Sequence, residues 1–507
     1  MLDKVNQLVA VVNKNRPVAI GLAIAVLLLG WASAQYEPRV AASILLSGLT
    51  LGALYFLITS GLSLIFGLMD VLNFAHGMLF MAGAYMGYTL YANPRLLLNT
   101  LPLILALWGG AQLAGVLAAR RGLPPPAGPT GRALELLLWA AAAGLLLLGV
   151  WGFDLAPLAT SAISAGGMVP TEQAQEPLGR FVGRLALLAL AGAAAGVGLS
   201  ARRSSLRPPP WRGAYIGAAL LAIALLTAPA RIGAEALILG LSSNLRFLLA
   251  LLVGAASGAA LGGLMEWSLI RPLYSRPIYQ VLVTLGLVFV GTEVVKGIWG
   301  PTGYYMDVPD FFNKRGEACP SPNLIAWLRD NCASIDVLGR PFPSYRIFVI
   351  ALGLLMFVVI AVLLRRSRLG MIIRAGVQDG EMVQALGINV RRVFTLVFAL
   401  GAGLAALGGV AAAPFIGVNP SIGQEFQLQA FIAVVIGGMG SYTGAAIGAL
   451  LVGLARAFGD QIVLSGVQLP GMAEAINFSP SIARASTVLI MAIVLLLRPN
   501  GLFGKKD

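Results

Sequence analysis

Polar side chains are rare enough along this chain that each one set inside an apolar run needs a reason. Residues 70 to 80, DVLNFAHGMLF, hold Asp70, Asn73 and His76, the one histidine of the chain, within a stretch from Ala41 to Tyr91 that is otherwise almost uninterrupted apolar sequence. That stretch is too long for a single membrane crossing and must turn or break. Asn73 is a good helix N-cap, with Phe74 onward as the next helix and Gly77, Gly83 and Gly87 along it at small-residue packing intervals. An imidazole in lipid is costly, so His76 has to face a cavity, a partner helix or water. A helix starting there also points unpaired N–H groups and the positive end of its dipole into the space ahead, a setting suited to a carboxylate or carbonyl. The plainer alternative is that Asn73 and His76 only fasten the turn by hydrogen bonds.

A second interruption lies in FIAVVIGGMGSYTGAAIGALLVGL, where two apolar arms, each too short to span, flank Gly437, Gly438, Gly440, Ser441 and Gly444. This reads as a broken, re-entrant pair. Irregular backbone is tolerated at membrane depth only where it is buried in protein or lines a cavity, so the break marks a pathway. A glycine-rich packing seam is the alternative. Other ionisable groups at membrane depth pair locally: Glu293 with Lys296, and Glu266 with Arg271 at the inner interface. No ladder of carboxylates runs through successive spans, which argues against a self-sufficient secondary transporter. One histidine and no His/carboxylate cluster leave nothing for a metal site or a membrane-embedded enzyme, and no cofactor is implied. The chain also lacks a G-x-x-x-x-G-K-[ST] loop; its only Gly-Lys pair, Gly504-Lys505, is followed by Lys506 and Asp507.

These residues must be positioned by membrane helices. With 58% hydrophobic and 11% charged residues and a mean hydropathy of +0.85, the 507-residue chain is far from the roughly one quarter charged residues of soluble proteins. About thirteen apolar stretches approach or exceed the roughly 20 residues needed to cross a bilayer, among them 18 to 34, 280 to 299, 345 to 364 and 393 to 415. The net charge of +14 sits in short Arg and Lys clusters between spans, so it sets orientation and does not indicate nucleic acid.

Placing Lys4, Lys14 and Arg16 in the cytoplasm puts every later cluster inside up to residue 415, including Arg120 and Arg121, Arg202 and Arg203, Arg271 and Arg276, and Arg365 to Arg392. The loop 300 to 344 falls outside, in the periplasm. It holds the two cysteines of the chain, Cys319 and Cys332, which either close a disulfide there or remain two thiols. If 427 to 457 crossed as one span, Arg498, Lys505 and Lys506 would end outside. A pair entering and leaving on one side keeps both termini cytoplasmic. The expected fold is an all-α polytopic membrane protein of about 12 transmembrane helices plus the broken segment. The Ala32-Ser33-Ala34 stretch also imitates a signal-peptide cleavage site.

Four regions follow. Residues 1 to 40 form an extra transmembrane segment and 41 to 95 the first part of a core. Residues 96 to 244, monotonous in Ala, Leu and Gly, read as an inserted module of four helices (96 to 119, 133 to 152, 185 to 200, 213 to 230) with no legible chemistry. Residues 245 to 507 complete the core. Within it, the cytoplasmic loop 365 to 392 holds a short helix from Asp379 to Leu386, with Glu381 in its acidic first turn, Met382, Val383, Ala385 and Leu386 apolar, and Gly387 as its stop. A greasy cytoplasmic helix of this kind fits a groove on a partner or lies on the protein's own inner face.

GLSLIFGLMDVLNFAHGMLFMAGAY (61 to 85), EWSLIRPLYSRP (266 to 277), RAGVQDGEMVQALGINVRRVFTLVFALGAGLAALGG (374 to 409), the glycine break and RPNGLFG (498 to 504) occur together and in order. The chain thereby closely resembles the permease subunits of branched-chain amino acid ABC importers, a family that includes urea and amide permeases, over 41 to 95 and 246 to 504. The resemblance implies a bacterial inner-membrane protein without ATPase activity of its own. It implies cytoplasmic ABC ATPase subunits, a periplasmic substrate-binding protein and a second, homologous permease subunit as partners. It makes the 365 to 392 loop the coupling segment, with Met382 and Val383 standing where the family has alanines. It also makes Asn73, His76 and Gly77 with Gly437, Gly438, Gly440 and Ser441 the two interruptions flanking the substrate path. Residues 1 to 40 and 96 to 244 lie outside the family's compact core.

Overall fold

The computed structural model describes residues 30, 36–69, 71–121, 129–160, 176–201, 211–316, 319–378, 380–466, 479–499 and 501–503. Asp70, Asp379, the Arg202 and Arg203 cluster, and all of the first apolar segment except Gly30 lie outside them. The chain is a polytopic α-helical membrane protein. Ten helices among the described residues are long and apolar enough to cross a bilayer.

The described residues fall into two compact units, one made of Thr89–Ser242 with Ile298–Gly300 and one of the remainder. The first of these contains α3 (Arg95–Arg120), α4 (Pro129–Val150), the short α5 (Leu155–Thr160), α6 (Leu178–Ala201) and α7 (Arg212–Gly240), following α1 (Pro38–Met69) and α2 (His76–Ala92) in the chain. Its helices meet through small residues: a Cβ on Gly110 would strike the Ala189 carbonyl, and one on Gly192 the Leu107 carbonyl. One end is tied by Arg184, which donates to the carbonyls of Gly149 and Trp151 and to Glu176 (2.7 Å). Arg231 stacks on Phe181 (4.1 Å) and donates to Asn99 (3.1 Å).

The larger unit holds α1, most of α2, α8 (Ser243–Met265), α9 (Pro277–Trp299), α10 (Leu324–Asp330), the hairpin β1 (Ser334–Val337) and β2 (Arg340–Pro343), α11 (Ser344–Arg366), α12 (Arg368–Gln378), α13 (Gly380–Ala385), α14 (Val390–Ile416), α15 (Ile422–Gly437), α16 (Tyr442–Ser465) and α17 (Pro480–Leu497). α14 is its centre because LGAGLAALGGVAAA presents almost no side chain. Helix α2 runs beside it with Gly83 against Ala406 and Gly87 against Val410, and α8 approaches at Gly258 and Gly262, so backbones close to van der Waals contact. α1 lies antiparallel on α16, with Gly48 and Gly52 against Leu454 and Leu450.

Two features depart from the sequence reading. In an otherwise helical chain the 300 to 344 loop carries, besides α10, a β-hairpin whose two-residue turn, Leu338 and Gly339, has positive φ at both positions (55° and 83°). Four-residue strands are too short to show a period of two, and Leu-Gly is not one of the usual turn pairs. The second arm of the glycine-broken pair is also longer than expected. α16 runs 24 residues and is long enough to cross, because Arg456 and Asp460, which end the apolar run, pair with each other at 3.1 Å one helical turn apart.

Candidate functional site

The first interruption separates α1 from α2. Asn73 Oδ1 accepts from the Ala75 N–H (3.0 Å) and the Asn73 carbonyl from the His76 N–H (3.4 Å), so Asn73 closes the turn that starts α2. His76 is fully buried, and its Nε2–H donates to the Ile58 carbonyl of α1 (3.1 Å). That contact needs Gly61, because a Cβ there would stand 2.8 Å from Nε2. Nδ1 finds no partner among the described residues. The Gly77 N–H donates to Gln427 Oε1 of α15 (2.5 Å), and the Phe74 N–H to Thr284 of α9 (3.4 Å). Of the N–H groups at this helix start, those of Ala75 and His76 are thus taken up by Asn73 and those of Phe74 and Gly77 by neighbouring helices. Asn73, His76 and Gly77 line none of the three cavities described below; their neighbours Phe74 and Met78 line the third.

The second interruption is a tight break between antiparallel arms. Gly438 (φ 95°) ends α15, Gly440 (φ 78°) follows, and Ser441 caps α16 by accepting from the Gly444 N–H (3.1 Å). Gly437 faces Gly444 and Ala433 faces Gly448 closely enough that a Cβ on either Gly437 or Gly448 would meet backbone. Farther along the arms Glu425 faces Arg456 at 3.7 Å, so the two arms run side by side from the break to that level, beyond which α16 continues to Ser465. The carbonyls left open at the end of α15 are used by the C-terminal motif: Leu502 N–H donates to Ile436 (2.8 Å) and Phe503 N–H to Gly437 (3.0 Å). The sequence shows RPNGLFG as a motif but gives no sign of this partner, which lies more than sixty residues away along the chain.

Three cavities surround these breaks. One of about 520 Å³ is walled by Gly67 of α1, Gly440 and Tyr442 of the break, and Leu364, Arg365 and Arg374 of α11 and α12. The glycine break therefore lines a cavity at the arginine-bearing end of the unit. A second, of about 360 Å³, lies at the opposite end of α15 and α16 and is lined by Arg346, Glu425, Arg456 and Asp460. The sequence reading passed over these four, since each is a lone charge near the end of a span and only the fold brings them together. The third, also about 360 Å³, is apolar and bounded by Phe74, Phe289 and Phe431.

In the loop 365 to 392, α13 spans Gly380–Ala385. Gly387, at φ 79°, stops it: the Ile388 N–H bonds the Val383 carbonyl (3.3 Å) and the Gly387 N–H the Gln384 carbonyl (2.9 Å), a Schellman ending. Val383 is buried, whereas Met382 and Leu386, one turn apart, are 59% and 72% exposed. α12 and α13 connect the wall of the 520 Å³ cavity to α14. At the other motif, Glu266 is fully buried and held by Arg271 (Nε to Oε1 3.1 Å, Nη2 to Oε2 2.9 Å) and the Tyr274 hydroxyl (2.5 Å), while Arg271 reaches Thr395 of α14 (2.5 Å). Glu293 and Lys296 pair at 2.7 Å. In the 300 to 344 loop Cys319 and Cys332 are joined in a disulfide.

Comparison with known proteins adds the family. The BraD permease of the high-affinity branched-chain amino acid transport system of Pseudomonas aeruginosa is 35% identical over 161 residues, 32% of this chain and 46% of that protein. The LivH permease of the Escherichia coli high-affinity branched-chain amino acid transport system is 35% identical over 149 residues, 29% of this chain and 44% of that protein. The fructose import permease FruF of Bifidobacterium longum is 28% identical over 225 residues, 43% of this chain and 55% of that protein. The chain spans about half the length of these curated relatives. No solved structure matches it. The family model described as branched-chain amino acid transport system / permease component matches residues 211–497, more than half of the chain, and the chain belongs to that family.

Proposed function

We propose that this chain is the membrane-spanning permease subunit of an ATP-driven importer in a bacterial inner membrane, passing branched-chain or other small amino acids delivered by a periplasmic binding protein. The observation that carries the reading is the 520 Å³ cavity, because its wall joins the two parts such a machine requires. The glycine break supplies the interrupted backbone of a path, and α11 and α12 lead from the same wall directly into α13. Separate ATPase subunits seat on α13 through Met382 and Leu386, and Asp379 and Glu381 complete the docking segment. Their motion reaches the cavity through α12, whose Ile373 and Arg374 line it. The break before His76 is the second flank of the path, with Asn73 and Gly77 holding its turn. A second, homologous permease subunit completes the transmembrane pair within the lipid.

The antiparallel α15–α16 pair supports cytoplasmic termini and a periplasmic 300 to 344 loop, since it restores the parity that leaves Arg498 inside. The test is uptake of radiolabelled L-leucine by cells lacking their own importers and expressing this chain with its ATPase and binding-protein partners. ATP-dependent leucine uptake that vanishes without this chain supports the reading. Uptake of urea, acetamide or fructose in its place overturns the amino-acid assignment.

A further inference from the structure

The 360 Å³ cavity between α1, α11, α15 and α16 carries four charges that the path described above does not use. Arg456 lies between Asp460 (Nε to Oδ1 3.1 Å) and Glu425 (Nη2 to Oε1 3.7 Å), and its buried Nη1 has no hydrogen-bond partner among the described residues. Arg346, at the start of α11, has no carboxylate within ion-pair distance among the described residues. Its guanidinium lies over the rings of Phe415 (4.3 Å) and Phe342 (5.8 Å) and, among the described residues, donates one hydrogen bond, to Ser47 Oγ (3.3 Å). A buried guanidinium is costly unless paired, and its fork is matched by a carboxylate. Ser43, Ser47, Tyr55 and Gln461 add neutral polar groups to the lining, and Ile44, Leu51 and Phe426 give it an apolar side.

We infer that this cavity binds the α-amino acid itself as a zwitterion, its carboxylate on Arg346, its ammonium against the half-exposed sides of the Glu425 and Asp460 carboxylates that Arg456 leaves open, and its aliphatic side chain against Ile44, Leu51 and Phe426. The charges balance two against two, so a zwitterion enters without leaving a net charge, whereas urea, a short amide or a sugar leaves Arg346 unpaired. The volume is at the small end of the roughly 300–1,000 Å³ of small-ligand sites. The cavity lies at the end of the α15–α16 pair opposite the glycine break, so it is the first station on the path and the break the later one. The inference rests on the amino-acid reading of the function.

Both cysteines of the chain are in the disulfide, so a new thiol in the cavity is the only reactive one. Leu464 lines the cavity and is 81% exposed, which makes Leu464→Cys accessible and harmless to packing. In spheroplasts expressing the whole transporter, labelling of this variant by an impermeant maleimide is followed with L-leucine, L-leucinamide or 4-methylpentanoate present at millimolar concentration. L-Leucine slows labelling severalfold, whereas leucinamide, lacking the carboxylate, and 4-methylpentanoate, lacking the amine, do not. Adding Arg346→Gln removes the protection and Arg346→Lys keeps it, which separates a lost charge from a misfolded chain; Glu425→Gln weakens it. If the wild-type transporter takes up leucine but leucine gives no protection, the cavity assignment is overturned while the function stands. If the wild type imports urea or fructose and not leucine, both fall.

Discussion

At the scale of single residues, the Glu266 site shows how a carboxylate is kept at membrane depth. Both its oxygens are taken, by the fork of Arg271 and by the Tyr274 hydroxyl, and nothing of it reaches solvent. Burial first, then the hydrogen bond it gives Glu266, pushes the Tyr274 hydroxyl well above the ordinary phenol range, so it remains a donor at any working pH. The group closes a π-turn at Glu266–Ile270 and anchors it to Thr395 of α14. Replacing Arg271 by Ala leaves a buried, uncompensated carboxylate, and such losses cost about 3–5 kcal/mol. A lowered melting midpoint of the purified protein in detergent is the expected outcome, with Arg271→Lys intermediate because one ammonium cannot bridge both oxygens. Equal melting of Arg271→Ala and wild type would show that the cluster does not hold this corner.

At the scale of elements, the break between α15 and α16 depends on backbone that only glycine adopts comfortably. Gly438 sits at φ 95°, so a side chain there is strained, and its backbone lies so close to Gly501 that a Cβ on Gly501 would stand 2.7 Å from the Gly438 Cα. Gly438→Leu costs of order 1–3 kcal/mol in backbone strain alone and displaces the C-terminal motif from the Ile436 and Gly437 carbonyls. Uptake is lost while the subunit still assembles, read by co-purification of the ATPase partner beside a transport assay; wild-type uptake would leave only a packing seam. How much of this was legible follows from range. Helix existence was readable because a 20-residue apolar run has few other solutions, and the glycine break and the Gly387 stop were readable because their signals are local. The Arg346, Glu425, Arg456 and Asp460 cavity was not, since its members come from three helices and are spaced across more than a hundred residues. The length of α16 was misread because Arg456 and Asp460 look like the end of a span until they are seen to neutralise each other.

At the scale of the whole chain, the proposal is that one end of the larger unit faces the periplasm and receives substrate, while the other faces the cytoplasm and receives force. The disulfide tests the first half. In unreduced spheroplasts an impermeant maleimide finds no thiol in the wild-type chain, and after mild reduction it labels the outer loop; labelling only from inverted vesicles would reverse the orientation. The second half depends on α13. Force from an ATPase reaches the cavity only through a rigid contact attached to a helix that walls it, and α13 has that place, joined directly to α12 of the cavity wall and on its other side to the central α14. Its Schellman ending at Gly387 fixes the exit of the chain, Val383 turns inward to hold it, and Met382 with Leu386 forms the face left outward. Changing Leu386 to Asp touches nothing inside the chain, since the side chain is 72% exposed, but it places a carboxylate in a contact that is apolar once the partner seats, at a cost of about 2 kcal/mol or more. Insertion and melting of the subunit alone remain at wild-type values, whereas the ATPase is lost on purification or its hydrolysis no longer rises with loaded binding protein. Glu381→Lys, reversing a charge in the same short helix, gives the weaker form of the same defect. Full recovery of the ATPase with full substrate-stimulated hydrolysis in Leu386→Asp would remove α13 from the coupling route, because no other change at that position could then account for an undisturbed contact.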